Sequence, residues 1–90
     1  MLDLYLSSTF KKQFKKIKKR GYPVEQLGYV VDCLRQGKPL EARYRDHSLT
    51  GNYKDFRECH IQPDWLLVYQ VKQDILTLVL ARTGTHSDIF

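Results

Sequence analysis

Hydrophobic and polar positions change their period midway along the chain, and each half predicts its own elements. Leu2, Leu4 and Leu6 alternate with Asp3 and Tyr5, the period-2 pattern of a half-buried strand. Ser7 or Ser8 then supplies a helix cap. Phe10, Phe14 and Ile17 follow at i, i+4 and i+7, so one apolar stripe faces a core and lysines take the rest of the circumference. Gly21 ends that helix, and Pro23 suits the first turn of another. In the second helix Val24, Leu27, Val31 and Leu34 repeat at three and four residues, and Gly37 with Lys38 and Pro39 closes it. The two stripes of such a helical hairpin need an apolar surface to lie on.

Strands supply that surface in the second half. Arg43 to Arg45 reads as a short strand, followed by an irregular polar stretch from Asp46 to Asn52. Tyr53 to Ile61, Trp65 to Val71 and Ile75 to Ala81 read as strands rich in Val, Leu, Ile and Tyr, with Gln73 and Asp74 as a turn. Pro63 falls between two of them, where a missing N–H does no harm. Short connections imply an antiparallel meander. The order β-α-α-β-β-β predicts an α+β fold, with the N-terminal helical hairpin packed on one side of a twisted, mainly antiparallel sheet. Without repeats or linkers, residues 1–90 form one domain.

Composition narrows the class. At 90 residues the chain buries only about 60–65% of its unfolded surface, and 42% hydrophobic with 12% aromatic residues suffices for one modest core. The longest apolar run, Trp65 to Tyr69, is far shorter than the roughly 20 residues that span a bilayer. No charged-then-apolar leader precedes a small-residue cleavage site, so a cytoplasmic protein is expected. Cys33 and Cys59 lie in separate elements without metal-like spacing and are expected as reduced thiols. The net charge of +5 is concentrated: seven of the ten residues from Lys11 to Arg20 are basic, namely Lys11, Lys12, Lys15, Lys16, Lys18, Lys19 and Arg20. Such a stretch attracts a polyanion by counterion release, or serves as a solvated face that docks on an acidic protein.

Candidate chemistry gathers in the second half. His47 falls in a loop, His60 near a strand end and His86 in the C-terminal tail, with Asp64 four residues after His60 across the Pro63 turn. Loops and element ends project side chains into clefts, and a meander brings distant residues onto adjacent strand ends. RNA cleavage needs little more. The ribose 2′-OH attacks the adjacent phosphorus and displaces the 5′-oxygen, so a base, an acid and cations suffice. Imidazole suits both proton steps because histidine ordinarily titrates near pH 6.5. Arg57, Arg82 and Lys54 are candidates to stabilise the phosphorane, and Trp65 and Phe90 to stack on splayed bases or support the site. Three histidines and an aspartate could also hold zinc, but HxH, HxxxH and CxxC clusters are absent, and no metal or other cofactor is expected.

Three segments carry a resemblance: DHSLTG from Asp46 to Gly51, FRECHIQPDWLLVY from Phe56 to Tyr69, and ARTGTHSDIF from Ala81 to Phe90. They resemble the RelE/ParE toxin superfamily, and most of all its YafQ-like mRNA interferases from bacterial type II toxin–antitoxin pairs. The resemblance runs nearly end to end, through the basic first helix and the LRQGKPL connection after the second. It implies a RelE-like fold and an endoribonuclease that cuts mRNA in the A site of the 70S ribosome without metal. It also implies a cognate antitoxin, a DinJ-like ribbon-helix-helix protein, with operator DNA bound only through the toxin–antitoxin complex. The implied catalytic set is His47, His60, Asp64 and His86, with Trp65 and Phe90 as supporting aromatics, and the Lys11–Arg20 helix becomes a surface for ribosomal RNA or antitoxin. Two other activities fit the superfamily or the charge: a ParE-like inhibitor of DNA gyrase, and a ribosome-binding module that breaks no bond.

Overall fold

The computed structural model describes residues 1–90. Strand β1 (Asp3–Leu6) is followed by α1 (Ser8–Lys19) and α2 (Val24–Arg35). The chain continues through β2 (His47–Ser48), β3 (Arg57–Gln62), β4 (Trp65–Lys72) and β5 (Thr77–Gly84), and ends in the short helix α3 (His86–Ile89). The sheet order is β1-β5-β4-β3-β2. The β2–β5 meander is antiparallel, and β1 joins its free edge parallel to β5, pairing Leu4 with Leu78. The expected α+β architecture is present.

Helix α1 starts where Ser7 caps it. The Ser7 hydroxyl accepts from the Phe10 N–H at 2.9 Å and donates to the Ala81 carbonyl at 2.7 Å, fastening the helix start to β5. The helical hairpin covers one face of the sheet. There Phe10, Ile17, Leu27, Val30, Val31 and Leu34 pack against Cys59, Ile61, Trp65, Leu67, Tyr69, Leu78 and Leu80. The other, open face carries a smaller cluster of Leu66, Val68 and Ile89, edged by Leu49, Phe56 and Ala81. Because side chains alternate along a strand, β4 sends Trp65, Leu67 and Tyr69 to the helices and Leu66 and Val68 to the open face. All five are buried.

Several local expectations are corrected. Arg43 to Arg45 is no strand: Ala42–Tyr44 forms one 3-10 turn, and Arg45 is left-handed at φ 49°. The turn buries Tyr44 in the core, and a three-residue alternation is too short to specify an extended chain. The strand expected from Tyr53 begins only at Arg57, because Gly51–Tyr53 is another 3-10 turn. The strand expected from Ile75 begins at Thr77, after the turn Gln73–Ile75 and a left-handed Leu76, and runs on to Gly84. Leu4 is 40% exposed, at the rim of the core rather than in it. The C-terminal tail is a capped turn of helix.

Two register shifts position functional groups. One lies between His60 and Gln62 on β3, beside the Pro63 turn. The other lies between Arg82 and Leu80 on β5. It leaves Leu80 in the helix-side core and Thr83 under Trp65, while Ala81 joins the open-face cluster.

Candidate active site

The open face and the C-terminal end of β5 enclose a cavity of about 510 Å³, lined by His47, Glu58, His60, Asp64, Thr85 and His86 among others. Its floor is set by strand pairing. Glu58 and His60 are two apart on β3 and share the open face, and β2 pairs so that His47 lies directly opposite Glu58. Both imidazoles turn Nε2 toward the same oxygen. His47 Nε2 and His60 Nε2 each lie 3.6 Å from Glu58 Oε1. Their other ring nitrogens meet backbone carbonyls: His47 Nδ1 lies 2.6 Å from the Arg45 oxygen, and His60 Nδ1 3.2 Å from that of Pro63. A carbonyl can only accept, so each Nδ1 carries a proton, and it is Nε2 of each ring that is turned toward Glu58 to release or take one. When either ring takes a proton there, the imidazolium meets the Glu58 carboxylate, which is only 7% exposed.

Asp64 projects from the β3–β4 turn and accepts the Tyr22 hydroxyl at 2.8 Å, a bond that raises the Tyr22 pKa. Tyr22 in turn packs edge-on against Trp65, with ring centroids 5.3 Å apart. Trp65 is 0% exposed and donates from Nε1 to the Thr83 hydroxyl at 2.9 Å. A base cannot stack on a ring with no free face, so of the two roles expected of Trp65 the geometry leaves support, through Tyr22, of Asp64.

His86 opens α3, and its ring lies 5.1 Å from that of Phe90. Phe90 is 52% exposed and meets Tyr53 edge-on at 5.6 Å, while the Arg82 guanidinium lies 5.8 Å from the Tyr53 ring centre. Arg82, Tyr53, Phe90 and His86 thus form one continuous row that meets the cavity at His86. Lys54 follows the 3-10 turn that carries Tyr53 and is exposed outside the cavity.

Arg57 does not join the site. Strand parity sends it away from the open face, where it bonds Asp46 and Tyr69 at 3.3 Å each and Ser48 at 2.8 Å. Arg20, expected with the lysines at a docking surface, has its guanidinium bound to Asp88. The six lysines of α1 are exposed. Burial pushes the Cys59 thiol pKa strongly upward, leaving an inert core group.

Over residues 2–90 the sequence matches the family described as a bacterial toxin of type II toxin–antitoxin system, YafQ. The chain belongs to the YafQ toxin family. It is similar to the mRNA interferase toxin YafQ of Escherichia coli strain K12, 36% identical over 89 residues that cover 98% of this chain and 95% of that one. Among solved structures, a metal-bound toxin from Helicobacter pylori superposes with a TM-score of 0.95 at 47% identity, covering 100% of both chains. The toxin of the E. coli DinJ-YafQ complex superposes at 0.89 with 35% identity, covering 100% of this chain and 99% of that one.

In this YafQ-family cavity the three histidines and Asp64 singled out from sequence lie together. Sequence reasoning missed Glu58, Tyr53 and Tyr22. The Glu-x-His spacing on an alternating strand was a usable signal for Glu58. Tyr53 and Tyr22 carried none, since only the fold brings Tyr53 to Phe90 and Tyr22 to Asp64.

Proposed function

We propose that this chain is the toxin of a type II toxin–antitoxin pair, an endoribonuclease that cuts mRNA in the ribosomal A site by acid–base catalysis. The observation that carries the reading is the pair of imidazoles presenting Nε2 to one buried carboxylate, with a third histidine on the same cavity. His60 Nε2 removes the 2′-OH proton, and Glu58 stabilises the imidazolium that forms. The 2′-oxygen bonds to phosphorus as the bond to the 5′-oxygen breaks. His86 gives that oxygen its proton, leaving a 2′,3′-cyclic phosphate and a 5′-hydroxyl. His47 shares the Glu58 oxygen and binds the phosphate or relieves His60 as base. Asp64, fixed by Tyr22, orients the ribose, and Arg82 lends positive charge from the rim.

RNA has room to pass. A second cavity of about 410 Å³, lined by Gln26, Arg43, Tyr44 and Gln62, shares His60 and Pro63 with the first. The exposed lysines of α1 suit the phosphates of ribosomal RNA or an acidic segment of a DinJ-like antitoxin. Operator DNA is then met through that antitoxin complex, and the site of action is the cytoplasm, where the ribosomes are. No helix is long and apolar enough to cross a membrane. The chemistry assigned to the side chains needs no metal.

Mapping mRNA ends in a translating extract tests the whole reading. Cuts inside codons with cyclic phosphate termini are expected, and only on ribosome-bound message. Intact mRNA on stalled ribosomes would identify a binding module, and intact mRNA with a supercoiling defect a gyrase inhibitor.

A further inference from the structure

The polar cluster that fastens α3 to α1 adjoins the cavity at Thr85, and none of the chemistry above uses it. Helix α3 is a single turn of four residues, far below the roughly 12–15 at which an isolated helix persists. Yet it carries His86 at its first position and is followed at once by Phe90. Asp88, in the same turn, accepts four hydrogen bonds. Two come from Arg20, Nη1 at 2.7 Å and Nη2 at 3.2 Å, and two from the Thr85 N–H and hydroxyl, both at 2.9 Å. One carboxylate therefore closes the capping box of α3 and binds, in bidentate fashion, the guanidinium at the end of α1.

Two neighbours complete the arrangement. The Gln13 side chain accepts from the Thr83 N–H at 2.9 Å and donates to the Asp88 carbonyl at 3.4 Å. At Gly84, φ is +150° and a Cβ would stand 2.8 Å from the Cβ of Asp88, so the turn that folds Asp88 back on β5 requires glycine.

We propose that Arg20 and Asp88 are positioning residues whose ion pair holds α3 in the pose that puts His86 on the cavity. The catalytic half of this proposal rests on the nuclease reading; the structural half does not. Arg20 closes the basic run of α1, but its charge is committed to Asp88 while Lys18 and Lys19 remain exposed. Removing Arg20 should therefore act differently from removing the lysine beside it.

The test compares Arg20→Ala, Arg20→Lys and Lys19→Ala in two measurements on the full chain. In the free protein, ¹⁵N order parameters of residues 86–89 should fall from about 0.85 toward 0.6 in Arg20→Ala and partly recover in Arg20→Lys. In ribosome-dependent cleavage, Arg20→Ala should lower kcat roughly ten-fold, whereas Lys19→Ala should raise KM. Arg20→Ala should cost nothing further in a His86→Gln background, because the ion pair acts through that ring. Unchanged order parameters in Arg20→Ala overturn the structural half. Loosened order parameters with an unchanged kcat, or an equal loss in the His86→Gln background, overturn the positioning role. A wild-type chain that cuts no mRNA overturns the nuclease reading and the catalytic half with it, and leaves the order parameters to decide the rest.

Discussion

His47 stands directly across the β2–β3 ladder from Glu58, with its Nε2 3.6 Å from Glu58 Oε1. His60 presents Nε2 to the same oxygen at the same distance. One buried carboxylate thus serves two imidazoles, and its charge stabilises the imidazolium form of either. Glu58→Gln keeps the shape and removes that charge. Single-turnover cleavage should fall by roughly 10²-fold, the lower end of what positioned acid–base groups supply, while the circular dichroism spectrum stays that of the wild type. Wild-type cleavage by Glu58→Gln would remove Glu58 from the mechanism.

His86 is assigned the proton delivered to the 5′-oxygen. His86→Gln should therefore lose roughly 10²–10⁴-fold in cleavage rate. A substrate whose 5′-bridging oxygen is replaced by sulfur needs no acid to expel its leaving group. That substrate should restore most of the rate to His86→Gln and little to His60→Gln. Rescue of His60→Gln and not of His86→Gln would show that the acid and base have been assigned to the wrong rings.

Trp65 acts through packing. The side chain is fully buried, supports Tyr22 edge-on and donates to Thr83. Trp65→Ala should cost about 3–5 kcal/mol of folding free energy in urea denaturation, the usual range for an emptied aromatic core site. Trp65→Phe keeps most of the volume but leaves the Thr83 hydroxyl without its donor, at about 1–3 kcal/mol. A Trp65→Ala variant as stable as wild type would contradict the burial described above.

The fold was legible where periodicity was long. The stripes Phe10-Phe14-Ile17 and Leu27-Val31-Leu34 and the apolar run from Trp65 marked both hairpin helices and the central strand, because burial on one or two faces imposes those patterns. Arg43 to Arg45 was misread because three residues carry too little pattern to outweigh the pull of Tyr44 into the core. At the site, His47, His60, Asp64 and His86 were legible as residue types suited to proton transfer, and their segments carried the family resemblance. Arg57 was misplaced for a reason of parity: as an immediate neighbour of Glu58 on one strand it must face the other way. Asp88 looked like an ordinary polar residue of a tail. Its partner Arg20 lies 68 positions away in sequence, and no local pattern can announce such a pair.

The Arg20–Asp88 contact also predicts how stability depends on pH. Hydrogen bonds from Arg20, then from the Thr85 backbone, hold the Asp88 carboxyl well below the usual carboxylate range. In the unfolded chain the same group returns to about 3.9. A carboxyl whose pKa is depressed by folding adds stability that is fully present above the unfolded value and is lost as the pH falls toward the folded one. The difference in unfolding free energy between wild type and Asp88→Asn should therefore be constant from neutral pH down to about 5 and shrink steadily below that. Salt should reduce it only in part, because the Thr85 bonds within the turn do not depend on a distant charge. Urea denaturation of both proteins across this range is the measurement. A difference that grows on acidification, or stays constant to pH 2, would mean that Asp88 does not carry its charge in the folded protein as the bidentate contact requires.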